Sequence, residues 1–210
     1  RDWSSDVCSS DLASERLEQS EGVRGIPLRI KDVSGTTSQA NAYATGLGPT
    51  RTIVLWSTMV DGRFTPAEVR AVVAHEIGHH AAGHLVRGIA WFALLALPAA
   101  WVIMRSTRRR GGMGEPAAVP LALLVVAALQ LALAPAQAWI SRRMEAEADW
   151  RALEATRDPA AVRSLFVGFA RTSLTDPSPQ PWVDVVLGSH PTLARRVAMA
   201  NAWERLHAAP

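Results

Sequence analysis

"AHEIGHHAAGH", residues 74–84, places four histidines and one glutamate within a single short stretch. An α-helix advances about 100° per residue, so His75 and His79 fall about 40° apart and project from one face. On an unbroken helix His80 lies about 140° from His75, and His84 about 180°. Only the first pair can share a metal ion without distorting the backbone. His80 and His84 are expected at a surface or an interface.

Glu76 lies on the flank of the His75/His79 face, where it can hold a metal-bound water without ligating. This is the H-E-x-x-H arrangement, in which the glutamate serves as general base. Thr65 and Glu68 form a T-x-x-E capping box with Pro66 at the first helical position, so the helix is expected to begin there. A third histidine supplied through H-E-x-x-H-x-x-G-x-x-H is not formed, because Gly83 comes one place late and His84 one place early. A catalytic zinc takes three protein ligands and keeps a position open. The third must therefore come from elsewhere, and "MEAEAD", residues 144–149, offers candidates. Glu145 and Asp149 are four apart and share a helix face, while Glu147 points away.

Between the two ligand stretches lie residues 88–104 and 117–140, both uncharged. About 20 apolar residues cross a bilayer, with about 17 as the lower limit. Trp91, Trp101 and Trp139 sit near the segment ends, as interfacial aromatics do. Two crossings return the chain at Arg142 to the side it left, bringing Glu145 and Asp149 back to the histidine helix; one crossing would strand them opposite.

Upstream, residues 26–33, 41–47 and 51–60 have β character and are separated by turn-forming stretches. They predict a small antiparallel sheet. Downstream, "SRRMEAEADWRALEAT" reads as one helix. Residues 158–174 read as another, with Asp158 as N-cap, and the last begins near Ser189 or His190. The expected fold is mostly α with a small antiparallel β-sheet, interrupted by a two-helix transmembrane hairpin.

Residues 1–12, "RDWSSDVCSSDL", resemble translated sequencing adapter and are set aside, leaving 13–210 as a single domain, expected to be truncated at its N-terminus. Cys8, the only cysteine, falls inside the adapter-like stretch, so no disulfide framework is available. The formal net charge is +3, and no basic stretch interleaved with aromatics accompanies it, which argues against a nucleic-acid partner.

"NAYATGLG", "VAHEIGHH", the two-span interruption, "SRRMEAEAD" and "SHPTLARRV" follow one another as in the integral-membrane zinc metallopeptidases of the CAAX prenyl protease and HtpX family. The resemblance runs from about residue 20 to about residue 205, and the wording around "NAYATGLG" is closer to the prenyl protease branch. It implies a zincin-like catalytic fold, with one zinc ion held by His75, His79 and Glu145 and with Asp149 orienting a ligand histidine. It also implies catalytic roles for Glu76 and His190, and substrate contacts at Asn41 and Arg196. An edge strand beside the metal would let an extended peptide add as a further strand.

The expected partners are a protein or peptide substrate and the lipid bilayer. Prenylated C-termini suit the eukaryotic branch; a prokaryotic plasma-membrane member would clear misfolded membrane proteins. Arg105, Arg108, Arg109 and Arg110 in the inter-span loop face six arginines near the opposite ends (Arg70, Arg87, Arg142, Arg143, Arg151, Arg157), which favours a cytoplasmic zinc site. The alternatives are a zinc-binding fragment unable to process substrate, and a chaperone or assembly factor.

Overall fold

Strands β1 (Leu28–Lys31), β2 (Ala42–Thr45) and β3 (Thr52–Trp56) form a sheet of order β1-β3-β2 in the computed structural model, which describes residues 16–173 and 176–208. The adapter-like residues 1–12 lie outside the described residues. β3, "TIVLW", alternates as a strand with one buried face should, with Ile53 and Leu55 in the core.

The sheet is mixed, where the sequence pattern suggested an antiparallel one. β2 runs antiparallel to β3, with Ala42 opposite Leu55, but β1 runs parallel to it, with Leu28 opposite Ile53. Residues 32–41 carry the chain across to the far side of β3, so β3 separates the first two strands. Side-chain alternation encodes which face is buried and not the direction of the neighbour.

Strand β2 is therefore an edge. The Trp56 N–H donates to the Asn41 carbonyl at 2.9 Å. Antiparallel pairs alternate between bonded and non-bonded. Ala42 and Ala44 consequently aim their backbone groups at the open side, where the next helix lies.

That helix, α1 (Pro66–Ala81), starts where the capping box places it. Thr65 Oγ1 accepts from the Glu68 N–H, and Glu68 Oε2 accepts from the Thr65 N–H at 2.6 Å. It ends at Gly83, whose φ of 63° suits a residue without a Cβ. Helix α2 (His84–Thr107) then sets off in a new direction. This break removes the premise behind the expectation for His84, since helical arithmetic from His75 no longer applies beyond residue 82.

Helix α3 (Val119–Thr156) is continuous over 38 residues, joining the second apolar stretch to "SRRMEAEAD" without interruption. Both α2 and α3 are long and apolar enough to cross a membrane, and almost none of either apolar stretch is buried. Phe92, Leu97 and Leu131 are among the most exposed side chains. A pair of soluble core helices would show the reverse. Arg87 bridges to Glu147 at 2.8 Å where the two helices meet the rest of the protein.

Three helices complete the fold: α4 (Pro159–Ser173), α5 (Pro181–Leu187) and α6 (Leu193–His207). Asp158 caps α4 as expected, accepting from the Ala161 N–H at 2.9 Å. Helix α6 is capped by Thr192, which leaves Ser189 and His190 in the preceding loop. α5 had no counterpart in the sequence reading. Ile53, Leu55, Met59, Ile77 and Leu153 are the largest fully buried apolar side chains, packed where the sheet meets α1 and the C-terminal half of α3.

Gly78 lets α1 and α3 approach closely: a Cβ there would stand 3.3 Å from the Arg151 Cβ and 3.4 Å from the Ala148 carbonyl. Gly78→Val overpacks this contact and should cost about 1–3 kcal/mol. A lowered midpoint of thermal unfolding in detergent checks it.

Candidate metal centre and active site

Two helices supply the donors. His75 and His79 come from one face of α1, and Glu145 comes from α3, five residues beyond the apolar run. His75 Nε2 and His79 Nε2 lie 3.0 Å apart. Glu145 Oε2 is 3.4 Å from His75 Nε2, and Glu145 Oε1 is 3.5 Å from His79 Nε2. Zinc binds imidazole nitrogen and carboxylate oxygen at about 2.0–2.2 Å, and a tetrahedron of that radius has edges of about 3.3–3.6 Å. Among the described residues these three are the group whose ligand atoms converge to hold a metal. Glu145 Oε2 is enclosed and has no hydrogen-bond partner there. A buried carboxylate oxygen left bare between imidazoles is what a cation site presents. The donor set therefore fits a zinc ion with an open fourth position.

Each histidine is held from behind. His75 Nδ1 lies 3.0 Å from Asp149 Oδ1. Asp149 is in turn gripped by Arg196 through Nε at 2.7 Å and Nη2 at 2.5 Å. With Nδ1–H donated to Asp149, Nε2 is free to ligate. Burial opposes ionisation of Asp149, but Arg196 beside it and the His75 contact hold its pKa well below the usual carboxylate range. The Arg196 guanidinium also lies 4.1 Å from the centre of the Phe166 ring. Arg196 lines the cavity described below, with its guanidinium committed to Asp149.

His79 has an equivalent support that the sequence reading did not find. His84 is buried, not at a surface, and its Nδ1 lies 2.8 Å from His79 Nδ1. His84 Nε2 reaches Glu147 Oε2 at 3.4 Å, and Arg87 holds the same oxygen at 2.8 Å. The turn at Gly83 carries His84 back beside His79. His80 stays half-exposed, 3.4 Å from the Thr52 carbonyl.

Burial disfavours the charged form of His75, but the hydrogen bond and charge of Asp149, with the nearby Glu145 carboxylate, outweigh it and raise its pKa to about 10. Burial and the neighbouring His75 push His79 down to about 3. Without metal, His75 holds the pair's proton and His79 is neutral. Glu145 is also buried, yet the His75 contact keeps its pKa down at about 2.

Glu76 lies beside the donors with its pKa raised by burial, and it accepts a hydrogen bond from the Ala44 backbone on the outer edge of β2. His190 projects from the loop before α6, with Nε2 3.4 Å from Glu145 Oε2. Its Nδ1 is 2.9 Å from Ser189 Oγ. Arg142 Nη1 holds this loop by donating to the carbonyls of Asp184 and Gly188, at 2.5 and 2.7 Å. Asn41 stands at the start of β2, where its Oδ1 accepts from the Ala42 N–H at 2.9 Å. A cavity of about 220 Å³ runs from Asn41 and Glu76 past the donors to an apolar wall that includes Val72, Val162 and Phe169. Asn41, His75, Glu76, Glu145, Asp149, His190 and Arg196 line this cavity, and His79 stands behind it against His75.

An H-E-x-x-H helix beside an edge strand, with a glutamate from a later helix, defines a zinc-peptidase type of site. The profile of Peptidase family M48 matches residues 16–204, and the chain belongs to that family. It is 32% identical to the uncharacterized metalloprotease YhfN of Bacillus subtilis, over 82% of this chain and 43% of that protein. A CAAX prenyl protease 1 homolog of Oryza sativa is 25% identical over 88% of this chain and 46% of its own length. The crystal structure of Ste24p from S. mikatae superposes with a TM-score of 0.68 at 27% identity, over 80% of this chain and 43% of that one. The chain spans about half the length of these relatives.

His84→Ala should weaken zinc binding by about 10–100-fold while leaving all three donors in place, as measured by chelator competition. Zinc binding should also release about one proton per site near neutral pH, because His75 is protonated below a pKa of about 10. Apparent affinity should therefore fall about tenfold per pH unit on acidification below that value. Titration in weakly buffered solution with a pH indicator checks both.

Proposed function

We propose that this chain is the catalytic part of a membrane-embedded zinc metalloendopeptidase that hydrolyses peptide bonds in membrane-associated or unfolded proteins. The convergence of His75, His79 and Glu145 beside Glu76 carries the reading. A bound zinc would lower the pKa of a water and polarise the scissile carbonyl.

The protein's own groups do the rest. Glu76, with its pKa raised by burial, accepts the proton of the attacking water and returns it to the leaving nitrogen. With Ser189 Oγ donating to His190 Nδ1, Nε2–H would be left to stabilise the oxyanion of the tetrahedral intermediate. Asp149 with Arg196, and His84 with Glu147, keep the two histidines in the ligating tautomer. The outer edge of β2 would pair with an extended substrate once the substrate displaces the contacts of the Ala42 N–H with Asn41 and of the Ala44 backbone with Glu76. Such pairing reads main chain rather than sequence, which suits unfolded or loosely held segments.

Membrane embedding rests on the outward-facing apolar surfaces of α2 and α3. Glu145 is five residues past Ile140, about 7.5 Å along α3, so the scissile bond would lie close to the bilayer surface. The arginine distribution favours a site facing the cytoplasm.

Glu76→Gln should lower the rate of cleavage of an unfolded fluorogenic protein by about 10²–10⁴-fold at unchanged zinc content, measured in detergent by fluorescence and metal analysis. Equal activity in both forms would remove Glu76 from the chemistry. His190→Ala should reduce kcat by about 10²–10³-fold with little change in KM. A change confined to KM would make His190 a binding group instead.

A further inference from the structure

Helix α5 is built inside out. Its sequence, "PWVDVVL", has one charged residue, Asp184, and that residue is buried, paired with Arg195 at 2.8 Å. Its outward side chains are apolar: Trp182 is 65% exposed, Val185 48% and Leu187 66%. A short surface helix in water shows the opposite arrangement. Trp182 and Val185, three residues apart, share one face and form an apolar patch that needs a covering partner, while Leu187 lies about 140° round the helix from Trp182, at its C-terminal end.

The attachment of α5 fixes its height relative to the apolar spans. Arg142 holds its C-terminal end through the carbonyls of Asp184 and Gly188. Arg142 is two residues, about 3 Å, beyond Ile140, where the uncharged run of α3 ends. Side chains on a helix lean towards its N-terminus, which for α3 lies on the far side of the span, so the guanidinium leans towards the bilayer. Next to it the Arg143 guanidinium covers the Trp139 ring at 5.3 Å, an arginine–tryptophan pair at the level where interfacial aromatics and cations gather.

From this we propose that α5 is an interfacial helix, with Trp182 and Val185 inserted into the headgroup–acyl boundary of the bilayer that α2 and α3 cross. The occupant of the patch is lipid, because Arg142 ties α5 to α3 at the level where the apolar surface of α3 ends. Tryptophan also favours this depth. The loop that follows α5 carries His190, so the bilayer anchors the segment that delivers His190 to the metal centre. The inference rests on the membrane reading of α2 and α3, and its controls separate the two.

Single cysteines replace Trp182 or Val185 in a Cys8→Ser background and are labelled with an environment-sensitive nitrobenzoxadiazole probe. Leu131→Cys in the middle of the α3 span serves as the buried control. Arg205→Cys serves as the aqueous control; it lies on α6, near Trp203, whose Nε1 bonds to Glu154, a residue about 21 Å along α3 from Ile140. The labelled proteins are reconstituted in phosphatidylcholine vesicles with or without lipid spin-labelled near the headgroup. We expect probes at the two α5 positions to shift to the blue and to be quenched strongly by the shallow spin label, while Arg205 stays unquenched. Unquenched α5 probes as open to aqueous iodide as Arg205 would overturn the proposal. Shielding from iodide that appears only at high protein-to-lipid ratio, without lipid quenching, would assign the patch to a second copy and overturn it too. If Leu131 also escapes a deep spin label, the membrane reading itself falls and this inference with it.

Discussion

The site depends on one constraint: donors from two helices far apart in sequence must meet within the radius of a single cation. α1 alone can present His75 and His79, because four residues make slightly more than one turn. It cannot supply a third donor on the same face without breaking. The chain meets the constraint by laying α3 against α1 at Gly78, close enough for Glu145 to stand over the two imidazoles. The same register places Asp149 behind His75. One turn of α3 thus carries both a candidate ligand and the acceptor that sets the tautomer of another.

Because α3 is continuous, that turn is rigidly joined to the apolar span. The position of Glu145 and the position of the span are one mechanical variable, and the metal centre stands at a fixed height above the apolar surface. Arg87 and Glu147 repeat the coupling from the other helix of the hairpin: Glu147 faces away from the donors, as its helical position requires, and receives both Arg87 and His84. The two histidines are thereby supported from opposite sides. One support is the buried pair of Asp149 with Arg196, the other a chain running through His84 to a half-exposed carboxylate.

Much of this was legible in the sequence where the physics is local. The capping box at Thr65, the shared face of His75 and His79, and the Asp158 cap each need only a few neighbouring residues. The apolar runs announced their own length. What escaped depends on turns. Helical angles carried through Gly83 point His84 to a surface or an interface; the Ala82–Gly83 pair itself, at the end of a periodic stretch, is the available signal against it. The parallel pairing of β1 depends on where residues 32–41 cross, which alternation does not encode. α5 was invisible because a helix with its charge inside and its apolar residues outside has no amphipathic signature for water. Arg142 looked like one more cation in an arginine-rich chain, and only the structure shows it gripping two carbonyls of another segment.

The central claim is that one metal ion sits among His75, His79 and Glu145. The most direct test is an anomalous difference map recorded at the zinc edge from crystals of the zinc-loaded protein. One strong peak is predicted within about 2.0–2.2 Å of His75 Nε2, His79 Nε2 and a Glu145 carboxylate oxygen. A peak at His84 and Glu147 instead, or a metal bound by the histidines with Glu145 turned away, would contradict the account.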